Sequence, residues 1–288
     1  MEARRSVPVA VNPGAAIDVR PLRTQDDFIR CVELQHDVWG ATFTERVSVG
    51  ILKVVQRIGG IAAGAFEEDG RLGGFVFGLT GVEGGRLVHW SDMLAVREHL
   101  RDHGIGRRLK EFQRDTLREI GVSRIYWTFD PLVSRNAHFN LIRLGAHVVE
   151  YVPDMYGAET HSVLHRGVGT DRFIVAWDVD AGPHAGAPDG DGRGVTLGTD
   201  HPVLNPLGTD GLPAYREVAG RPLAVLIAVP DSIEEVQAQS VEHAARWRST
   251  TRRAFQWALG AGYRVTAFYR DETARCGYYV CEREGSAR

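Results

Sequence analysis

A chain of 288 residues, 43% of them hydrophobic, can bury a sizeable core as one large domain or two small ones. Its net charge of -3 argues against a nucleic-acid binder, which carries a basic excess, so basic clusters are read as local anion sites. No apolar run is long enough to span a membrane, and the N-terminus has no apolar signal core. Cys31, Cys276 and Cys281 form no CxxC pair and read as free thiols in a reducing cytoplasm.

Residues 1–15 read as a loose arm rich in Val, Pro and Ala. Ile17 to Leu22 then alternates apolar and polar residues, as a half-buried first strand does. Thr24 followed by Asp27 is a capping-box start, and the helix it opens buries Phe28, Cys31, Val32, Leu34 or Gln35, and Val38 before Trp39-Gly40 closes it. Strands are predicted over 61–66 and 72–79, joined through Asp69-Gly70, a hairpin signal. Gly81 to Gly85 turns the chain into a long strand over 87–96.

The polar stretch 97–103 and Gly104-Ile105-Gly106 follow that strand. From Ile105 the apolar residues recur at Leu109, Phe112, Leu117 and Ile120, an amphipathic helix opened by glycine. The first amides of a helix lack partners within it and carry partial positive charge, and glycine lets an anion approach the backbone. Arg101, His103, Arg107 and Arg108 cluster around that point. The spacing is not a P-loop, which needs Gly-Lys-Ser/Thr, nor a dinucleotide fingerprint, which needs a third glycine. A strand over 124–130 comes next, and Pro131 to Ala137 opens a second helix running to Leu144. A crossover of this kind makes 87–96 and 124–130 a parallel pair, so the expected class is α/β with a mixed sheet.

The string Arg101-x-x-Gly104-x-Gly106 resembles the pyrophosphate loop of the GNAT superfamily of acyl-CoA N-acyltransferases. The resemblance extends to Thr128-Phe-Asp-Pro-Leu-x-Ser-Arg-Asn-Ala137, Asn140, Tyr156-Gly157, Asp171-Arg172 and Trp177, a pattern similar to one subfamily of bacterial GNAT acetyltransferases. It covers about residues 15–180. It implies a GNAT fold binding acetyl-CoA or another acyl-CoA, with no metal. The implied cofactor-binding residues are Leu94, Ala95, Val96, Arg101, Asp102, His103, Gly104, Ile105, Gly106 and Arg107, with Arg135 and Asn136 beside the pantetheine arm or a phosphate.

Strands at 148–152 and 173–177 flank a loop, 153–169, long enough to be a substrate-side flap and carrying Tyr156, His161 and His165. Residues 181–194 contain seven Gly or Pro in fourteen, and the stretch 181–213 reads as a flexible linker. Order returns with the apolar run 223–230, a helix capped by Asp231 or Ser232, a second helical stretch over about 240–259, and a closing hairpin of 263–269 with 277–281. The expected organisation is an arm to 15, a core domain over 16–180, the linker, and a C-terminal βαββ extension over 214–288 packed on the core.

Acyl transfer to an amine needs a base for the amine, donors for the oxyanion and a proton for the leaving thiolate. Backbone amides near Leu94–Val96 can serve the oxyanion. The base candidates are His89 and Asp92, three apart on one strand and so on opposite faces; by the resemblance, relatives carry His where this chain has Asp92. The superfamily's acid is a Tyr four residues before the Gly of the second helix, a place held here by Leu141, and Tyr156 is the substitute. The expected activity is transfer of a short acyl group to a primary amine of a small molecule, an amino acid being one candidate. A non-catalytic CoA-binding module is the alternative, and a homodimer is one assembly open to either.

Overall fold

Thr24 adopts an extended backbone and its side chain accepts from the Asp27 amide, while the Asp27 carboxylate accepts from the amides of Arg23 and Thr24. The box therefore closes in both directions and starts helix α1, Gln25–Trp39, where the sequence places it. Arg20 adds a guanidinium to the same carboxylate at 2.7 Å, and this pairing holds Asp27 well below the usual carboxylate range.

The computed structural model describes residues 17–40, 43–157, 168–180, 201–271 and 273–283. The arm 1–15, the flap histidines His161 and His165, and the Gly/Pro-rich stretch 181–194 fall outside these residues. The fold is mixed α/β, and the chain divides into two units, Met1–Ser123 and Arg124–Arg288. Among the described residues no helix is long and apolar enough to cross a membrane.

In the first unit four antiparallel strands run in the order β1 (Asp18–Pro21), β2 (Ile61–Phe66), β3 (Leu72–Glu83) and β4 (Arg86–Val96). β3 runs past Gly81, which the sequence assigned to a turn, and Gly84-Gly85 alone makes the reversal. Helices α1 and α2 (Val49–Arg57) cover one face of the sheet through Phe28, Leu34, Leu52 and Val55 against Phe75 and Phe77. Helix α3 (Ile105–Glu119) reaches the other face through Lys110 and Gln113, which meet Ser91 and His89 of β4. Helix α2 is not expected from local pattern, because Val49, Ile51, Val54, Val55 and Gly50 all have poor helix propensity. Its usable signal was Ser48, whose hydroxyl caps the helix by accepting from Ile51.

The second unit holds β5 (Arg124–Phe129), β6 (His147–Val152) and β7 (Arg172–Asp178), with β7 in the middle and antiparallel to both. The expected long helix after Pro131 is instead a four-residue α4 (Ser134–Ala137) continued by a π-helical stretch, His138–Arg143. There Leu144 donates to the carbonyl of Phe139, five residues back, and Asn140 turns inward to accept from the Trp127 indole at 3.0 Å. Further along, β8 (Ala224–Pro230), β10 (Cys276–Arg283) and β9 (Tyr263–Asp271) form a second antiparallel sheet in that order, with α5 (Ile233–Gln239) and α6 (Val241–Gly260) between β8 and β9 in sequence. Phe173 meets Phe255 of α6 and Tyr279 of β10 edge to face, Tyr151 lies tilted against Phe255, and the Tyr279 hydroxyl donates to the Pro131 carbonyl at 2.8 Å. This aromatic cluster ties the C-terminal elements to the β5–β7 segment.

Of residues 201–213, placed in the linker by composition, 202–205 lie along β8, while Asp210 and the Pro213 carbonyl bond Arg246 of α6. Leu204 donates to the Leu226 carbonyl, and Leu226 donates to that of Pro202. Fully buried Asn205 then accepts from the Ala228 amide and donates to its carbonyl, both at 2.8 Å. The single strand-like residue pair, Val203 with Leu226, is too short a signal to show against the surrounding Gly and Pro. Asn205→Ala would leave both Ala228 backbone groups buried without partners, a cost of about 2–4 kcal/mol. Urea denaturation should show the midpoint falling with an unchanged slope.

Candidate functional site

The loop entering α3 is shaped by two left-handed residues, Asp102 (φ 62°) and Gly104 (φ 75°). Gly104 is the N-cap of α3 and supplies no side-chain acceptor. Within the helix the first amide to find a carbonyl is that of Arg108, bonded to Gly104 at 3.0 Å, so those of Ile105, Gly106 and Arg107 have none at i-4. A Cβ built on Gly104 meets nothing within 4 Å, so the backbone at the N-cap borders open space. Such an end suits an anion.

The basic side chains are less concentrated there than their spacing suggests. Arg107 bonds Glu111 at 2.8 Å, Arg108 donates to the Ile17 carbonyl at 2.6 Å, and Arg101 donates to that of Val96 at 3.3 Å. The His103 ring contacts the Arg101 carbonyl at 2.6 Å. Leu94, Ala95 and Val96 lie just before this loop on β4, in register with Val76, Phe75 and Gly74.

Two residues earlier β4 carries a bulge. Phe77 faces Met93 and the next residue of β3, Gly78, faces Ser91, so Asp92 has no partner across the ladder. The extra residue reverses the side-chain alternation, and Ser91 and Met93 end on opposite faces. Asp92 is exposed, yet the partial loss of hydration around its carboxyl and the nearby Glu45 carboxylate raise its pKa, against a hydrogen bond from Trp90. A carboxylate with raised affinity for protons, on a bulge, has the attributes of a base.

His89, the other candidate, is fully buried. Thr80 spends its hydroxyl proton on the Gly59 carbonyl at 2.6 Å, so the His89 Nδ1 must donate to Thr80 Oγ1 at 3.0 Å. The Gln113 amide then donates to His89 Nε2 at 3.0 Å, and both ring nitrogens are occupied. Burial, with Lys110 close by, lowers the His89 pKa to about 3. His89 is therefore a neutral structural residue. Lys110 itself is buried, donates to Ser91 Oγ at 2.8 Å, and has its pKa lowered by desolvation to about 7. Nothing in the sequence singled out Lys110, because it sits in an ordinary run of charged helix residues.

In the second unit Tyr156 is 45% exposed, its hydroxyl lies 3.1 Å from Thr128 Oγ1 on β5, and its ring lies 5.3 Å from the Arg172 guanidinium. Asn136 is half-buried in α4. Arg135, expected beside a cofactor, bonds Glu234 of α5 at 2.8 Å.

No protein-family model and no curated protein sequence matches the chain. Solved structures align over part of it. A GNAT-family protein from Desulfovibrio desulfuricans matches at 17% identity, covering 57% of this chain and 99% of that one, with a TM-score of 0.45. The Escherichia coli ribosomal-protein-S18-alanine N-acetyltransferase matches at 18%, covering 59% and 98%, with a TM-score of 0.43. The Salmonella typhimurium protein yncA, solved with acetyl-CoA, matches at 17%, covering 59% and 99%, with a TM-score of 0.44.

The buried pair makes stability depend on pH in a defined way. His89 has a folded pKa of about 3 against an ordinary 6.5, so acidification through that window protonates only the unfolded chain and stability falls. Lys110, at about 7 against 10.5, stays neutral in the folded state over that range, so stability rises between these values as the unfolded chain loses its proton. Chemical denaturation of the unmodified protein and of Lys110→Met at pH 7, 8, 9 and 10 should isolate this rise as the difference between the two, because the opposing ionisation of Cys31, Cys276 and Cys281 in the unfolded chain is common to both. The variant should be the more stable at pH 7, and the gap should close as pH rises.

Proposed function

We propose that this protein is an acyl-CoA-dependent N-acyltransferase of the GNAT type, moving an acetyl or other short acyl group to a primary amine of a small molecule, with an amino acid as one candidate acceptor. The observation that carries the reading is the opening of α3, where an N-cap glycine in a left-handed conformation leaves donors and open space together. The motif Arg101-x-x-Gly104-x-Gly106 occupies that opening and resembles the superfamily's pyrophosphate loop.

Acyl-CoA, as co-substrate, would bring the thioester and its acyl group. The amides of residues 102–107 would bind its pyrophosphate, and the backbone of Leu94, Ala95 and Val96 would run beside its arm, with Asn136 a further contact. Asp92 would take a proton from the substrate ammonium, directly or through water, leaving the neutral amine to attack the thioester carbonyl. Lost hydration and the Glu45 carboxylate raise the affinity of Asp92 for a proton above that of an ordinary aspartate, which favours that exchange. Tyr156 would return a proton to the departing sulfur. No residue in this scheme calls for a metal, and the assigned compartment is the cytoplasm.

Gly104→Val tests the first step. No protein atom lies within 4 Å of the new Cβ, so the variant should fold, with local strain from the positive φ. The side chain would project into the space assigned to the phosphates, and calorimetry should show acetyl-CoA binding lost. Unchanged affinity in the folded variant would remove the assignment; Gly106→Val is the companion test.

Asp92→Asn tests the second. Turnover should fall by a factor on the order of 10²–10⁴, the usual scale of a lost base, with acetyl-CoA affinity nearly unchanged. The loss should shrink as pH rises, because more of the amine is then already neutral. A wild-type rate, or a loss that ignores pH, would show that Asp92 is not the base.

A further inference from the structure

The second unit contains a charged cluster that the scheme above does not use. Its carboxylates are Asp130, after β5, Asp154, after β6, and Asp171, before β7; its guanidinium groups are Arg172 of β7 and Arg248 and Arg252 of α6. Asp171 is fully buried and accepts from Tyr151, from the Asp154 amide at 3.1 Å, and from Arg252 on both oxygens. Arg252 also reaches Asp154 Oδ1 at 2.7 Å. One turn earlier on α6, Arg248 donates to the Val168 carbonyl at 2.7 Å and to Asp130 at 2.5 Å.

These bonds converge on the turn that carries Tyr156. Asp154 begins it in a left-handed conformation (φ 45°), and the Gly157 amide closes it onto the Asp154 carbonyl at 2.8 Å. Met155 donates to the Thr170 carbonyl, and the Tyr156 amide donates to Thr170 Oγ1, both at 3.1 Å. Gly169, also left-handed, admits no side chain: a Cβ there would lie 2.9 Å from Asp154 Oδ1 and 3.3 Å from Arg252 Nη2. The stretches 154–157 and 168–171 are thus laced together; Arg252 bonds both of them, and Arg248 bonds the second.

From this geometry we infer that Arg252 is a positioning residue for Tyr156, and that helix α6 of the C-terminal extension is a working part of the transferase. This rests on the acyl-transfer reading and on the proton-donor role given to Tyr156. Arg252 touches neither the tyrosine hydroxyl nor any reacting atom. It fixes Asp154 against Asp171, and that fixes the turn from which Tyr156 projects toward Thr128. The planar fork is the relevant chemistry, because one guanidinium spans two carboxylates at once while an ammonium is a single point charge.

The test is a double-mutant cycle on the full chain, with acetyl-CoA and whichever member of a primary-amine array the unmodified protein turns over fastest. Arg252→Met should lower kcat by about 10- to 100-fold, the scale of a misplaced catalytic group, while acetyl-CoA KM stays unchanged. Tyr156→Phe should lower it comparably, and the double variant should be no slower than the slower single one. Arg252→Lys should recover only part of the rate, and it replaces Arg252→Met in the cycle should the methionine variant fail to fold. Multiplicative losses in the double variant, or a full rate in the folded Arg252 variant, would overturn the positioning role and leave the transferase reading intact. Absence of transfer by the unmodified protein to every amine would overturn both.

Discussion

β4 holds one residue more than β3 between the pairs Gly78–Ser91 and Phe77–Met93, and that surplus decides which side chains meet which layer of the first unit. Without it, Ser91 and Met93 would share a face, and either the polar network under α3 or the apolar core under α1 would receive the wrong residue. With it, His89 and Ser91 turn toward Gln113 and Lys110, while Met93 and Ala95 pack with Phe75 and Phe77. The leftover residue, Asp92, belongs to neither layer. A carboxylate there is freed from packing duty, which is what a group that exchanges protons requires.

A different constraint governs the second unit. Three carboxylates and three guanidinium groups are gathered at the junction of β5, β7 and α6, several of them almost fully enclosed. Charges removed from water are tolerated only when each finds partners with good geometry, and loss of one member leaves its counterpart exposed to the full desolvation cost. A hydrophobic junction could have held the extension with less risk. The ionic one fixes where α6 sits along its own axis, because each fork matches particular carboxylate and carbonyl oxygens. The aromatic cluster of Phe173, Phe255 and Tyr279 beside it supplies adhesion but little such register.

Most strands and the longer helices were legible because their signals are local. Alternation located β1 and apolar runs located β2 and β8, the Thr24–Asp27 box fixed α1 to the residue, and Ser232 marked α5. What escaped depends on partners distant in sequence. The bulge at Asp92 is a mismatch between two strands and has no signature in either alone, so simple parity set His89 and Asp92 against each other as rival bases. Helix α2 forms from β-branched residues that a sheet face stabilises. The segment 201–213 is held by the edge of β8 at 202–205 and by Arg246 of α6 at Asp210 and Pro213, not by its own composition. In the site, the glycine-opened helix was evident from spacing, and the Arg107–Glu111 pair follows from helical i,i+4 geometry, but the fates of Arg108 and Arg135 were not evident, since each is taken by a neighbour far away in sequence.

β8 is a fully buried run, Ala-Val-Leu-Ile-Ala-Val-Pro, at the border of its sheet. A border strand of that composition offers unpaired amides and carbonyls to any other extended chain, and segments of this kind seed intermolecular cross-β association. Residues 202–205 run along that border, and where their own backbone diverges the Asn205 carboxamide stands in for a peptide group at Ala228. The segment thus acts as a hem, closing the sheet against other molecules. Its presence explains how so apolar a strand can lie at a sheet margin, and colloidal behaviour during synthesis would depend on how soon residues 202–205 settle once β8 has formed.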